Sequence, residues 1–182
     1  MCDSIIYLIG FSGTGKTTVG EEVSRILDVP FLDMDSEIED FSNQSIPEIF
    51  RNDGEETFRK METDLIKTVS VLDCEECRYS RVVSTGGGVW TILENREMMS
   101  HSGIVICLNA SPETILMRLK KQQNNEGSGA DRPMLNSDKD PLNTIKELLE
   151  IRYKDYLQAD FIVDTDSKNT LDIATEIVDL LE

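Results

Sequence analysis

Two stretches of this sequence carry residue types that can do chemistry together. The first is Gly10-Phe11-Ser12-Gly13-Thr14-Gly15-Lys16-Thr17, which fits the spacing G-x-x-x-x-G-K-[ST]. Ile5-Ile6-Tyr7-Leu8-Ile9 precedes it, and Val19, Val23, Ile26 and Leu27 follow at helical spacing. Strand, loop and helix therefore stand in the order the motif requires. Glycines let the backbone curl until successive N–H groups point at phosphate oxygens, and the helix behind adds its positive end. Lys16 reaches the β- and γ-phosphates as a point charge, and the Thr17 hydroxyl is a magnesium ligand. This Walker A loop calls for a nucleoside triphosphate but leaves open what is done with it. Its candidate nucleotide-binding residues are Ser12, Gly13, Thr14, Gly15, Lys16, Thr17 and Thr18.

The second stretch is Phe31-Leu32-Asp33-Met34-Asp35, where two carboxylates lie one residue apart at the end of a short apolar run. Many phosphate-loop proteins set a magnesium-supporting Asp at the end of another strand. The apolar run at 81–84 carries no such acid and passes instead into Thr85-Gly86-Gly87-Gly88. Consecutive glycines after a strand let backbone approach a ligand closely, although a plain bulge or tight turn has the same composition. Asp33 is then the candidate acid for the metal. If the chain stays extended, Asp33 and Asp35 point the same way, toward the strand ends where open α/β sheets bind ligands. The alternative is a helix start, because Asp35, Glu37, Glu39 and Asp40 all favour a first helical turn. The residues alone leave both open.

Arginines inside apolar stripes add a further constraint. Ile145, Leu149, Arg152 and Tyr156 are spaced 4, 3 and 4, so Arg152 falls on the inward face of a helix. Arg59 follows Phe58 on another stripe, with Glu62 one turn on. A guanidinium there grips a carboxylate or phosphate, or else forms an internal salt bridge with one of 35 acidic side chains.

The elements that must position these groups alternate between β-branched runs and amphipathic helical stretches, which predicts an α/β domain with a mainly parallel sheet. Strands are expected at 4–9, 30–33, 81–84, 104–108 and 160–163. Ser45 with Glu48 makes a capping box around Pro47, and Ser111-Pro112 and Asp140-Pro141 mark two more helix starts. Phe58, Met61, Leu65, Val69 and Leu72 are spaced 3, 4, 4 and 3, a continuous core stripe. The segment 122–140, containing NNEGSGADRPML, resists regular structure, and the Arg132-Pro133 within it points to a lid at about 122–139.

At 182 residues the chain is expected to form one domain, 1–182. The net charge of −17 argues against nucleic-acid and anionic-membrane partners, which select for excess Lys and Arg. No apolar run reaches the length of a membrane span, and the N-terminus lacks the pattern of a signal peptide. Cys74 and Cys77 form a CxxC, but no second pair follows and the one histidine, His101, is distant, so neither a zinc nor a redox site is expected. Reduced thiols suit a cytoplasmic location.

Taken in order, the phosphate loop, Asp33-x-Asp35, Gly54-Glu55-x-x-Phe58-Arg59, Thr85-Gly86-Gly87-Gly88, Arg132-Pro133 and Arg152-x-x-x-Tyr156 resemble the shikimate kinase family over nearly the whole chain. The resemblance implies a nucleoside-monophosphate-kinase-like P-loop fold in three layers, with a five-stranded parallel sheet flanked by helices and a mobile lid. It implies substrate-binding helices at about 34–62. The implied reaction moves the γ-phosphoryl of ATP to the 3-hydroxyl of shikimate, with Mg2+, on the route to chorismate and the aromatic amino acids. The implied enzyme is a cytoplasmic monomer acting on small molecules. By the family's pattern Asp35 holds the substrate hydroxyls as base or orienter. Arg59 and Arg152 grip the carboxylate, and Gly86, Gly87 and Gly88 line the substrate. Phe50, Phe58, Glu62 and Pro133 shape its pocket. Lys16 and Arg132 act on the transferring phosphoryl, with Arg132 folding in from the lid. Thr17 and Asp33 serve the metal, and Arg118 matches the family arginine that packs near the adenine. Where many members have Arg-Pro-Leu-Leu, this chain has Arg132-Pro133-Met134-Leu135, after a segment with extra Asn, Gly and Ser. The rival readings are a gluconate- or nucleotide-type kinase of the same fold, and a non-catalytic nucleotide-dependent module. The last predicts a broken site, yet every catalytic residue type is present.

Overall fold

Strand β1 (Ser4–Ile9) is apolar from Ile5 to Ile9, and all five of those residues are buried. A strand with no polar face belongs at the centre of a parallel sheet covered on both sides. The computed structural model, which describes residues 4–71, 79–126 and 140–182, places it there. The other strands are β2 (Phe31–Asp33), β3 (Tyr79–Ser84), β4 (Gly103–Asn109) and β5 (Phe161–Asp164). All pair in parallel, in the order β2-β3-β1-β4-β5. These are the strands expected from the sequence, with β3 starting at Tyr79 rather than at residue 81.

Helices α1 (Lys16–Leu27), α2 (Met34–Ser42), α3 (Ile46–Asn52), α4 (Gly54–Ser70), α5 (Leu93–Ser102), α6 (Pro112–Glu126), α7 (Pro141–Tyr156) and α8 (Thr170–Leu180), with a 3-10 turn at Val89–Thr91, complete the described elements. Strand side chains alternate between faces, so β1 feeds two cores. Ile5, Tyr7 and Ile9 pack with Ile66, Val69, Met99, Ile145 and Tyr156 on one face. Ile6 and Leu8 pack with Val19, Val23, Ile173 and Ile177 on the other. A third small cluster of Ile38, Ile49 and Phe58 ties α2, α3 and α4 to one another beside the sheet.

Three helix starts form as their sequences dictate. The Glu48 carboxylate accepts from the Ser45 N–H at 2.8 Å and from its hydroxyl at 2.6 Å, which holds its pKa below the ordinary carboxylate range. Asp140 accepts from the Leu142 N–H, and the Ser111 hydroxyl from the Thr114 N–H. The stripe on α4 is shifted from the sequence expectation. Its fully buried positions are Phe58, Glu62, Ile66 and Val69, while Met61 and Leu65 are half-buried. The helix is rotated so that a carboxylate lies on its core face, which an apolar count alone passes over. Leu72, the CxxC cysteines Cys74 and Cys77, the lid centre and its Arg132-Pro133 lie outside the described residues.

Candidate active site

The phosphate loop leaves the C-terminal end of β1 and is seated on β4. Gly10 has φ +132°, and a Cβ there would lie 2.3 Å from the Leu108 carbonyl oxygen. Only glycine allows both that backbone conformation and that approach. The Lys16 ammonium is turned over the loop, donating to the carbonyls of Gly10 and Phe11 at 3.0 Å each. Thr14 lines the loop, but its hydroxyl donates to the Phe11 carbonyl at 2.8 Å and is buried, so it braces the loop from inside.

A cleft of about 540 Å³ lies over this loop. Ser12 through Thr18 form its floor, and Asp35, Ser84, Thr85 and Gly87 close one end. Arg118, Lys121, Gln122, Lys168, Asn169 and Thr170 line the other. Arg118 is fixed against the loop by donating to the Thr14 carbonyl at 3.0 Å, the Thr165 hydroxyl at 2.9 Å and the Thr165 carbonyl at 2.8 Å. Sequence reasoning found Arg118 but missed its neighbours. Asn169 reads only as a helix cap, a role it also plays by accepting from the Asp172 N–H at 2.9 Å.

The two aspartates separate at a turn. The strand ends at Asp33 and α2 begins at Met34, so the extended arrangement with both carboxylates side by side is not what forms. Asp33 is the helix cap: its Oδ1 accepts from the N–H groups of Asp35 and Ser36 at 3.0 and 3.2 Å. Its Oδ2 accepts from the Thr17 hydroxyl at 2.7 Å. A hydroxyl touching a carboxylate beside the phosphate loop is a donor set that suits Mg2+, a hard ion that takes a few protein oxygens and keeps phosphate and water for the rest. Among the described residues no three His, Cys, Asp or Glu gather as a metal cluster, so the ion would depend on the nucleotide. Asp35 sits in the first turn of α2 and faces the cleft.

The three glycines after β3 are where the remaining groups meet. A Cβ on Gly86 would lie 2.5 Å from Glu62 Oε1 and 3.0 Å from Asp35 Oδ1. One on Gly87 would lie 3.2 Å from the Ser12 amide nitrogen and 3.6 Å from Arg152 Nη1, and one on Gly88 would lie 2.7 Å from Arg59 Nη1. The triglycine turn is therefore a close approach of backbone to four charged side chains and to the phosphate loop, not a loose bulge.

Both arginines are held in place. Arg59 donates to Glu62 at 2.7 Å and to Glu55 at 3.1 Å, and its guanidinium lies 5.4 Å from the centre of the Phe58 ring. Phe50 packs on Phe58, with ring centres 4.9 Å apart. Arg152 donates to the Gly87 carbonyl at 3.0 Å and stands 5.4 Å from the centre of the Phe11 ring. The internal salt bridge considered from sequence is thus real for Arg59, while Arg152 pairs with backbone.

Glu62 is fully buried, and its Oε1 has no hydrogen-bond partner. Burial pushes its carboxyl up to about 7, Arg59 opposes that shift, and the neighbouring Asp35 adds to it. Cys107, buried on β4, has its thiol raised to about 12 by burial and is inert.

The chain matches the family model described as shikimate kinase over residues 12–182. It is 38% identical to the shikimate kinase of Thermodesulfovibrio yellowstonii over 95% of this chain and 92% of that one. The shikimate kinase of Caldanaerobacter subterraneus is also 38% identical, over 95% and 93%. Among solved structures, shikimate kinase from Acinetobacter baumannii in complex with shikimate superposes with a TM-score of 0.86 at 34% identity, over 98% of this chain and 93% of that one. By sequence and by fold, the chain belongs to the shikimate kinase family.

Proposed function

We propose that this chain transfers the γ-phosphoryl of ATP to the 3-hydroxyl of shikimate, giving shikimate 3-phosphate and ADP. The observation that carries the reading is the set of groups around the triglycine turn. One carboxylate, Asp35, stands on the cleft side, and two guanidinium groups, Arg59 and Arg152, stand against the next two glycines. An acceptor with hydroxyls at one end and a carboxylate at the other satisfies all three.

Phosphoryl transfer asks little covalent chemistry of the protein, so positioning and charge neutralisation supply the rate. The loop amides and Lys16 hold the triphosphate, while Arg118 packs beside the nucleoside end. Thr17 would hold Mg2+ and Asp33 would support it, and the ion would supply neutralisation of phosphate charge. Asp35 accepts the proton of the attacking hydroxyl or aims that hydroxyl at the γ-phosphorus. The new O–P bond forms as the bond to the β-γ bridging oxygen breaks, and ADP leaves. Arg59 and Arg152 fix the acceptor's carboxylate, with Phe50, Phe58, Glu62 and the backbone of Gly86, Gly87 and Gly88 shaping its pocket. Arg132 and Pro133, outside the described residues, belong to the same reading as lid groups that exclude water. It also takes the enzyme as a monomer working in the cytoplasm. Among the described residues no helix is long and apolar enough to cross a membrane.

A coupled assay of ADP release tests this, with shikimate, gluconate, a nucleoside monophosphate or no acceptor added. Release is expected with shikimate alone, and release independent of shikimate would defeat the proposal. Arg152→Ala is expected to raise the Michaelis constant for shikimate about tenfold or more, the scale of a lost charge-assisted hydrogen bond, and to leave that for ATP nearly unchanged. Equal weakening of both would make Arg152 structural.

A further inference from the structure

The Gly87 carbonyl oxygen receives two donors from one helix. Arg152 Nη1 reaches it at 3.0 Å and the Tyr156 hydroxyl at 2.8 Å, from positions one turn apart on α7. The other side of Gly87 abuts the phosphate loop at Ser12. This single peptide unit therefore lies between the nucleotide loop and the helix that carries an acceptor-binding arginine. The connection is reinforced just beyond the glycines, where the Trp90 ring N–H donates to the Asp155 carbonyl at 2.7 Å. Arg96 holds the Asp155 carboxylate at 2.6 Å.

Arg152 is asked to do two things with one fork of N–H groups: satisfy a backbone carbonyl and grip a substrate carboxylate. The Gly87 carbonyl is half-buried, so losing a donor still costs part of its desolvation, and it competes with the substrate for the guanidinium. A second donor removes that competition. Tyr156 supplies it and is only 7% exposed, so water cannot readily take its place. Burial raises its phenol to about 12, which keeps the O–H protonated and donating through the range where the enzyme works.

We infer that Tyr156 is a positioning residue for the acceptor: its hydroxyl holds the Gly87 carbonyl and leaves Arg152 free to bind the substrate carboxylate. This rests on the proposed function, since the carboxylate in question is shikimate's. Tyr156 acts through Arg152 and the triglycine turn and touches no reacting atom. The role predicts a split that loss of general packing would not produce.

Tyr156→Phe keeps the ring that fills the core and removes only the donor. Its Michaelis constant for shikimate is expected to rise about fivefold, the scale of one neutral hydrogen bond, with kcat and the constant for ATP changed by less than about twofold. In an Arg152→Ala background the same substitution is expected to add almost nothing to the shikimate constant, because the residue through which it acts is gone. An unchanged shikimate constant in Tyr156→Phe overturns the inference. So does an equal rise for shikimate and ATP, or the same fold increase with and without Arg152. Absence of shikimate turnover by the wild-type protein overturns the functional reading and this inference together, whereas wild-type turnover with an unaffected variant overturns the inference alone.

Discussion

Asp35→Asn is expected to lower phosphoryl transfer to shikimate by about 10²-fold or more while ATP binding is retained, as for loss of a general base or an orienting group. The reason is local. Asp35 faces the cleft from the first turn of α2, on the side proposed to take the acceptor, and its Oδ1 lies by the Gly86 backbone. The carboxylate proposed to support the metal is a different residue, Asp33, fixed by its own contacts to Thr17 and to the helix N-terminus. Asparagine has the same shape, but it cannot accept the proton as a carboxylate does, and it holds a hydroxyl only by a weaker, uncharged hydrogen bond. Nucleotide affinity measured by titration calorimetry, beside turnover in the coupled assay, separates the two functions. Turnover like that of the wild type would remove Asp35 from the chemistry.

The second large effect is on stability and its dependence on pH. Glu62 is buried without a partner for Oε1, and burial raises its folded-state pKa from 4.5 to about 7 against the pull of Arg59 and Arg152. A carboxyl whose folded pKa lies above its unfolded value binds its proton more tightly in the native state. Its contribution is therefore fully present below the unfolded value and is lost as pH rises through about 7. The amount at stake is about 3 kcal/mol between the two limits. Glu62→Gln keeps the shape and removes the titration. Urea unfolding of both proteins from about pH 5 to about pH 8 is expected to show the wild type losing stability relative to the variant across that window. A difference between them that stays constant with pH would mean that Glu62 remains charged throughout in the fold.

Both predictions concern side chains whose types were visible in the sequence but whose surroundings were not. The phosphate loop was legible because everything it needs is local: a strand, a glycine-rich turn and a helix start within fourteen residues or so, each with its own compositional rule. The capped helix starts and the five strands were legible for the same reason. The pair Asp33 and Asp35 could be read two ways, because alternation along a strand and acidity at a helix start are equally local signals. The fold resolved it by ending β2 at Asp33. Helix α4 shows the opposite limit. Counting apolar residues placed its core stripe on Met61 and Leu65, while the buried face runs through Glu62 and Ile66. A charged residue on a core face carries no signal in an apolar count, and only its partner Arg59 and the neighbouring glycine explain it.

By itself the sequence determined the phosphate loop, the order of strands and helices along the chain, the candidate acids and arginines, and the likeness of their sequence order to one kinase family. Tertiary structure decided which of those groups meet. Laying β3 between β1 and β2 brings Asp33 to Thr17 from 16 residues away and sets the triglycine turn against the phosphate loop. Packing α7 on the face of the sheet that carries Tyr7 and Ile9 brings Arg152 and Tyr156 to Gly87 across 65 and 69 residues. Local patterns are written by the steric and hydrogen-bonding preferences of neighbouring residues. Contacts across such separations follow from how the apolar faces of the sheet and helices are buried, and that is settled only when the whole chain packs.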